Sequence, residues 1–284
     1  MGFSPRDADR PLVMPNTNGE YSKLPKPKRP EPLTRHLSDI VGRHPWAIPL
    51  VPALVILFLF AINPTESHIV RRFIFLSYKQ GNPTGLPETP PQYGKGLWDV
   101  AFVSFYTTVL SFTREFIMHE FLRPLARCIG VTSPGKQLRF MEQMYTAVYF
   151  GVMGPAGAYV MSRTPVWYFR TMGMYEAFPH KTHDAEFKFY YLLQAAYWAQ
   201  QAIVILLGIE KRRKDFKELV VHHIVTLALI GLSYRLHFTY MGIAIYLTHD
   251  VSDFFLAVSR LLIIPHRTYV RFLTNVPCTT LTQF

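Results

Sequence analysis

FKELVVHHIVTLALIGLSYRLHFTYMGIAIYLTHDVSDFFLAVSR, residues 216–260, decides the fold of this chain. It contains two apolar runs, residues 219–234 and 236 to about 259, separated only by Arg235. Crossing the hydrocarbon core of a bilayer takes roughly 20 helical residues. The stretch therefore predicts two antiparallel spanning helices, and their polar residues stand out against that background. His222 and His223 lie five and six residues past Lys217, while His249, Asp250 and Asp253 precede Arg260 by eleven, ten and seven. At about 1.5 Å per residue, the histidines and the aspartates come to similar depth, roughly 8 to 15 Å inside the same face.

Working outward, four further runs are long and apolar. They cover residues 45–65, 97–112 continuing through a charged stretch to about 122, 143–162 and 189–209. Small residues in the third of these, Gly151, Gly154, Ala156, Gly157 and Ala158, predict close approach of another helix. The fold class is therefore an all-α integral membrane protein, a polytopic bundle of about six transmembrane helices. Residues 1–44 carry Pro11, Pro15, Pro25, Pro27, Pro30 and Pro32 and read as a disordered tail. Residues 66–96 form a loop, 97–262 the helix bundle, and 263–284 a tail of different character.

The composition supports this class. Of 284 residues 49% are apolar and 15% aromatic, too many for a disordered chain, and two cysteines, Cys128 and Cys278, make no disulfide framework. The net charge of +11 would suit nucleic acid on a soluble domain, but here the charge is partitioned by the apolar runs. Segments 1–44, 113–142, 210–218 and 260–284 hold 21 of the 30 Lys and Arg, and the alternate segments hold 9. Lys and Arg are retained on the cytosolic side, so the amino terminus is expected in the cytosol and 66–96 in the lumen. No nucleic-acid partner is expected. Both apparent glycosylation sites, at Asn63 and Asn82, have proline in the excluded position, and no N-glycan is expected.

Ionisable groups at membrane depth face a bundle interior or a wet cavity and are functional candidates. Asp250 and Asp253, three apart, share a helix face, whereas His222 and His223 diverge by about 100°. One histidine is thus expected to meet the aspartates while the other faces a different helix or the substrate, with Thr226 in reach of either. An imidazole held by a carboxylate serves as general base or as acyl-accepting nucleophile, and the residues leave both open. Two His and two Asp also suit zinc or iron, but a metal needs converging ligands, which adjacent helical histidines do not supply. For His119 and His249 the expectation is a buried hydrogen bond to a neighbouring helix. Tyr190, Tyr191, Tyr197 and Trp198 are candidates for lining a lipid tunnel, or for packing.

These residues carry a resemblance. The stretch 216–260 resembles the longevity-assurance motif of the TLC-domain ceramide synthases, fungal ones above all, in its histidine pair, its HDVSD and their spacing. KGLWDVAFVSFYTTVLSFTREFIMHEFLRPLA from Lys95, EQMYTAVYFGVMGPAGAYVM from Glu142 and FKFYYLLQAAYWAQQAIVILLGIEKRRKDFKE agree with that family too. The resemblance implies an endoplasmic-reticulum enzyme that transfers a fatty acyl group from acyl-CoA, its co-substrate, to the amine of a long-chain sphingoid base. It needs no other cofactor and no metal. By position His222 and His223 match the catalytic pair, and Asp250 and Asp253 the essential aspartates. Arg114, Arg123, Arg127, Lys211, Arg212 and Arg213 are placed to meet the phosphates of acyl-CoA. The resemblance further implies a dimer and, in fungal members, a small single-span accessory subunit. It stops near Leu262, where the family continues into a further transmembrane helix. The chain accordingly reads as an enzyme stopped one helix early, the alternative being an inactive lipid-binding or regulatory subunit.

Overall fold

The computed structural model describes residues 13–15, 21–23, 44–65, 68–81, 91–167, 170–176, 178–208 and 216–275, with side chains between 44 and 263. It divides into two units, residues 1–44 and 45–284. In the first, β1 (Val13–Pro15) pairs antiparallel with β2 (Tyr21–Lys23), Met14 opposite Ser22. This short hairpin departs from the wholly irregular tail expected there.

The second unit is a helical bundle. Its long helices are α1 (Ala47–Ile62), α3 (Trp98–Phe116), α5 (Pro134–Ser162), α6 (Ala185–Leu206), α7 (Phe216–Arg235) and α8 (Thr239–Asn275); α2 (Arg71–Ile74) and α4 (Arg123–Cys128) are short. Each long helix falls on one of the apolar runs. α7 and residues 239–263 of α8 are long and apolar enough to cross a membrane, whereas α1 is a shorter apolar helix. α8 continues to Asn275, well into the segment expected to be a separate tail.

Between α3 and α4 the chain widens into a π-helical turn, Ile117–Leu122, with the Arg123 N–H bonded to Met118 O. Pro124 accounts for it. Proline donates no hydrogen bond and crowds the carbonyl four residues back, that of Glu120, and a wider turn relieves both.

α6 is the axis of the bundle, packed against α3, α5 and α7, while α5 and α8 form the most extensive helix pair. Their junction depends on Gly157, where a Cβ would stand 2.3 Å from Tyr190 Oη and 3.3 Å from Leu247. The small-residue expectation holds there and, more loosely, at Gly151, which faces Phe254 at 3.4 Å; nothing lies within 4 Å of a Cβ at Gly154.

One end of the bundle is closed by its connections. β3 (Lys79–Gln80), β4 (Gln92–Tyr93) and β5 (His183–Asp184) form a three-stranded antiparallel sheet in that order. The sheet joins the 66–96 segment to the one preceding α6. The α7–α8 turn is tied to the same end, since His183 Nε2 lies 2.9 Å from Thr239 Oγ1 and Lys95 Nζ 3.4 Å from His237 Nδ1. The three segments that together hold nine of the 30 Lys and Arg thus gather at one end, as alternating helices require.

Candidate functional site

α7 and α8 run antiparallel beside α6, and the register of the pair fixes where its polar residues open. Adjacent residues on a helix point about 100° apart. His222 and His223 accordingly face different spaces, with ring centroids 5.5 Å apart and planes at 82°. Trp198 of α6 lies between the two spaces and touches both rings, at 6.3 Å from His222 and 5.9 Å from His223.

His222 opens onto an apolar cavity of about 400 Å³ between α7 and α8. Val225, Thr226, Leu229, Met241, Ile245 and Tyr246 form its walls, and it extends to Leu236 and Phe238 at the far end. Residues 222 to 236 rise roughly 20 Å along α7. Such a cavity, apolar along most of its length, suits a hydrocarbon chain. His249 lines it as well, opposite His222.

His223, the buried residue of α7 at 8% exposure, opens on the other side. Its cavity, about 190 Å³, is more polar and is lined by Glu142, Gln201, Asp253 and Arg260. His223 Nδ1 lies 2.9 Å from Leu219 O. A carbonyl oxygen only accepts, so Nδ1 carries the proton of that bond and Nε2 is the accepting nitrogen of the neutral ring. A nitrogen in that state can take a proton or attack a carbonyl carbon.

The two aspartates part company. Asp253 shares the cavity of His223, whereas Asp250 is 0% exposed and turned toward α6. Its Oδ2 accepts from Tyr190 Oη at 3.2 Å and from Gln194 Nε2. Gln194 also donates to Tyr190 Oη at 3.0 Å and accepts from Tyr149 at 3.2 Å. This network ties α5, α6 and α8 together and is fed entirely by neutral donors. Residues three apart on a helix still differ by about 60°, enough for one carboxylate to reach a cavity and the next to be sealed.

Other expected residues fall elsewhere. His119 does not bond a neighbouring helix: its Nε2 lies 3.8 Å from Glu115 on its own turn. His249 is exposed to the cavity, with Nδ1 2.9 Å from Ile245 O on its own helix. Arg114, expected at the mouth for phosphate, is buried and paired with Glu115, because it lies on the inward face of α3 before the π-helical turn. Arg123 and Arg127 are exposed on α4. Lys211, Arg212 and Arg213 lie outside the described residues. Among the aromatics, Tyr191 and Trp198 line the apolar cavity, and Tyr197 lines the polar one, stacked on Tyr149 at 3.7 Å. Two histidines opening into separate cavities do not converge as metal ligands. Among the described residues no three His, Cys, Asp or Glu side chains gather to hold one.

Gln194 and the far polar cluster escaped the sequence reading. Gln194 lies one helical turn from Tyr190 on an inward face, and that spacing was a usable signal. At the closed end Lys188 Nζ meets Asp99 Oδ1 at 2.7 Å and donates to Gly94 O and Ser77 O at 2.7 and 2.9 Å. Tyr234 Oη and Gly96 N donate to Asp99 Oδ2 at 2.7 and 2.9 Å. Burial, reinforced by the charge of Lys188, pushes the Lys95 amine beside this pair down to about 7. Burial and nearby Lys95 likewise hold the His183 imidazole down at about 2, so it is neutral.

Residues 139–279 match the TLC domain family, a match running past Leu262, where the resemblance was expected to end. The sphingosine N-acyltransferase-like protein FUM17 of Gibberella moniliformis is 54% identical over 224 residues, which are 78% of this chain and 58% of that relative. Sphingosine N-acyltransferase lac1 of Schizosaccharomyces pombe is 44% identical over 86% of this chain and 64% of its own length. Ceramide synthase LAG1 of Saccharomyces cerevisiae is 46% identical over 78% and 52% respectively. The chain thus spans between about half and two thirds of the length of these curated relatives.

Proposed function

We propose that this chain, whose residues 139–279 match the TLC domain family, is a sphingoid-base N-acyltransferase, forming ceramide from a fatty acyl-CoA and a long-chain amine within the membrane. The relatives' names support the reaction class. The observation that carries it in this chain is the pair of cavities meeting at Trp198, one apolar with His222 at its mouth, the other polar with His223 and Asp253.

The apolar cavity receives a hydrocarbon chain and places its thioester carbonyl beside the histidines. The amine nitrogen attacks that carbon, the C–N bond forms and the C–S bond breaks. His223 Nε2 takes the proton lost by the amine and returns it to the departing coenzyme A sulfur. Asp253 stabilises the transient imidazolium. Asp250 acts at one remove, as a positioning residue that seats α8 through Tyr190 and Gln194. Arg123 and Arg127 meet coenzyme A phosphates. A second route is favoured by His222, and not His223, opening onto the apolar cavity. There the acyl group passes first to a His222 ring nitrogen and then to the amine. A burst of coenzyme A release without any amine separates this route from direct transfer, which gives none.

All six long helices cross the membrane in this account, with residues 66–96 and the β-sheet in the lumen of the endoplasmic reticulum and the amino terminus in the cytosol. The test is direct. The full chain, placed in membranes devoid of other N-acyltransferases, is given labelled palmitoyl-CoA and sphinganine. An N-acyl product is expected, and an O-acyl product or none overturns the proposal.

A further inference from the structure

The cations on the poorly charged side of the bundle are not scattered. Three of those nine, Arg71, Arg72 and Lys79, line one open cleft of about 860 Å³ between α2, β3 and the starts of α3 and α6. Along α6 this cleft is about ten residues from Trp198, roughly 15 Å. It is separate from both histidine cavities.

Its construction is amphiphilic. The Arg72 guanidinium lies 4.4 Å from the centroid of the Trp98 ring, and that of Arg71 lies 5.5 Å from Phe75. Lys79 is exposed at the rim. Among the described residues Glu186 is the acidic group on the lining, and its carboxylate is 3.8 Å from Arg163 outside the cleft. The wall toward α3 and α6 is aromatic, with Phe102 and Tyr106 one and two turns after Trp98, and Phe189.

The cleft is also held open without a ligand. Lys188 pins the loop through Ser77 O and Gly94 O, the Trp98 N–H donates to Tyr78 Oη at 3.2 Å, and Tyr106 Oη donates to Ile74 O at 3.3 Å. A preformed site avoids the ordering cost of binding.

We propose that this cleft binds an anionic glycerophospholipid of the surrounding membrane. Its phosphate sits between Arg71, Arg72 and Lys79, where planar guanidinium groups meet phosphate oxygens in pairs. Its chains run down the apolar face of α3, and the aromatic wall occupies the interfacial level that such rings prefer. The cationic rim repels the ammonium of a sphingoid base, so the occupant differs from the amine substrate.

The experiment uses the full chain in detergent and the quenching of tryptophan fluorescence by brominated-chain lipids. Brominated phosphatidylglycerol is expected to quench saturably, and Trp98→Phe to remove that saturable part. Brominated phosphatidylcholine is expected to need about tenfold more lipid, as is Arg72→Gln/Lys79→Gln with phosphatidylglycerol. Arg72→Lys, which keeps the charge, is expected to fall between. Equal curves for the two headgroups in the unaltered chain would overturn the proposal, whatever the folding of the variants. Full displacement by millimolar inorganic phosphate or coenzyme A would overturn it too, in favour of a soluble anion.

Discussion

α6 and α7 are neighbours of similar length and apolar content, yet they are opposites in the folded chain. α6 buries fourteen of its 22 residues, among them Lys188, Gln194 and Gln200, whereas α7 buries His223. On α7 Val221, Ile224, Val225, Leu229 and Leu232 are exposed. Buried polar groups need partners inside the protein, and Lys188 and Gln194 of α6 find theirs on three other helices. α7 presents most of its surface outward, and its two histidines open toward the spaces it shares with α6 and α8. The contrast teaches that α6 holds the bundle together, while α7 carries the residues to which the proposed function assigns the chemistry.

Substitutions on and around the two helices sharpen that contrast. Lys188→Ala leaves Asp99 buried without its cation, and a loss of about 3 to 5 kcal/mol is expected, read as a large drop in thermal unfolding temperature in detergent. Lys188→Met combined with Asp99→Asn is expected to recover part of it. Gln194→Leu strands Asp250, and about 1 to 3 kcal/mol is expected, with N-acylation falling in step with the folded fraction.

Lys95 gives a pH dependence. Its folded value, about 7, lies below the ordinary 10.5, so between those values the unfolded chain binds more protons than the folded one. Stability is expected to be greatest at high pH and to decline as pH falls from about 10.5 to about 7, then to level off. Unfolding temperatures of Lys95→Met, which removes the titrating group, are expected to lack that decline. Smallest of all, Leu229→Val on the cavity-facing and lipid-facing side of α7 is expected to change stability by no more than about 0.5 to 1.5 kcal/mol. A larger loss would mean that α7 is packed as tightly as α6.

The helices were legible because a chain in lipid has little choice but to form them, and the positions of the apolar runs set their positions. The divergence of His222 from His223 was legible too, since it follows from helical geometry. The parting of Asp250 from Asp253 was not, because it depends on where Tyr190 and Gln194 stand on a helix some 56 to 60 residues away in sequence. Lys188 and Asp99 escaped for the same reason: 89 residues apart, neither leaves a periodic trace of the other. Arg114 was misplaced because its segment reads as a basic stretch beside an apolar run, while the helix carries it inward before Pro124 opens the turn. The far end of α8 was taken for a tail because its apolar run breaks, although the helix does not.

The claim that acyl transfer is driven from the polar cavity rests most directly on His223. Amide formation from palmitoyl-CoA and sphinganine, measured for the unaltered chain and for His223→Ala at equal membrane abundance, decides it. A loss of at least about 100-fold is expected, the scale of a missing general base. Activity within about threefold of the unaltered chain would contradict the account.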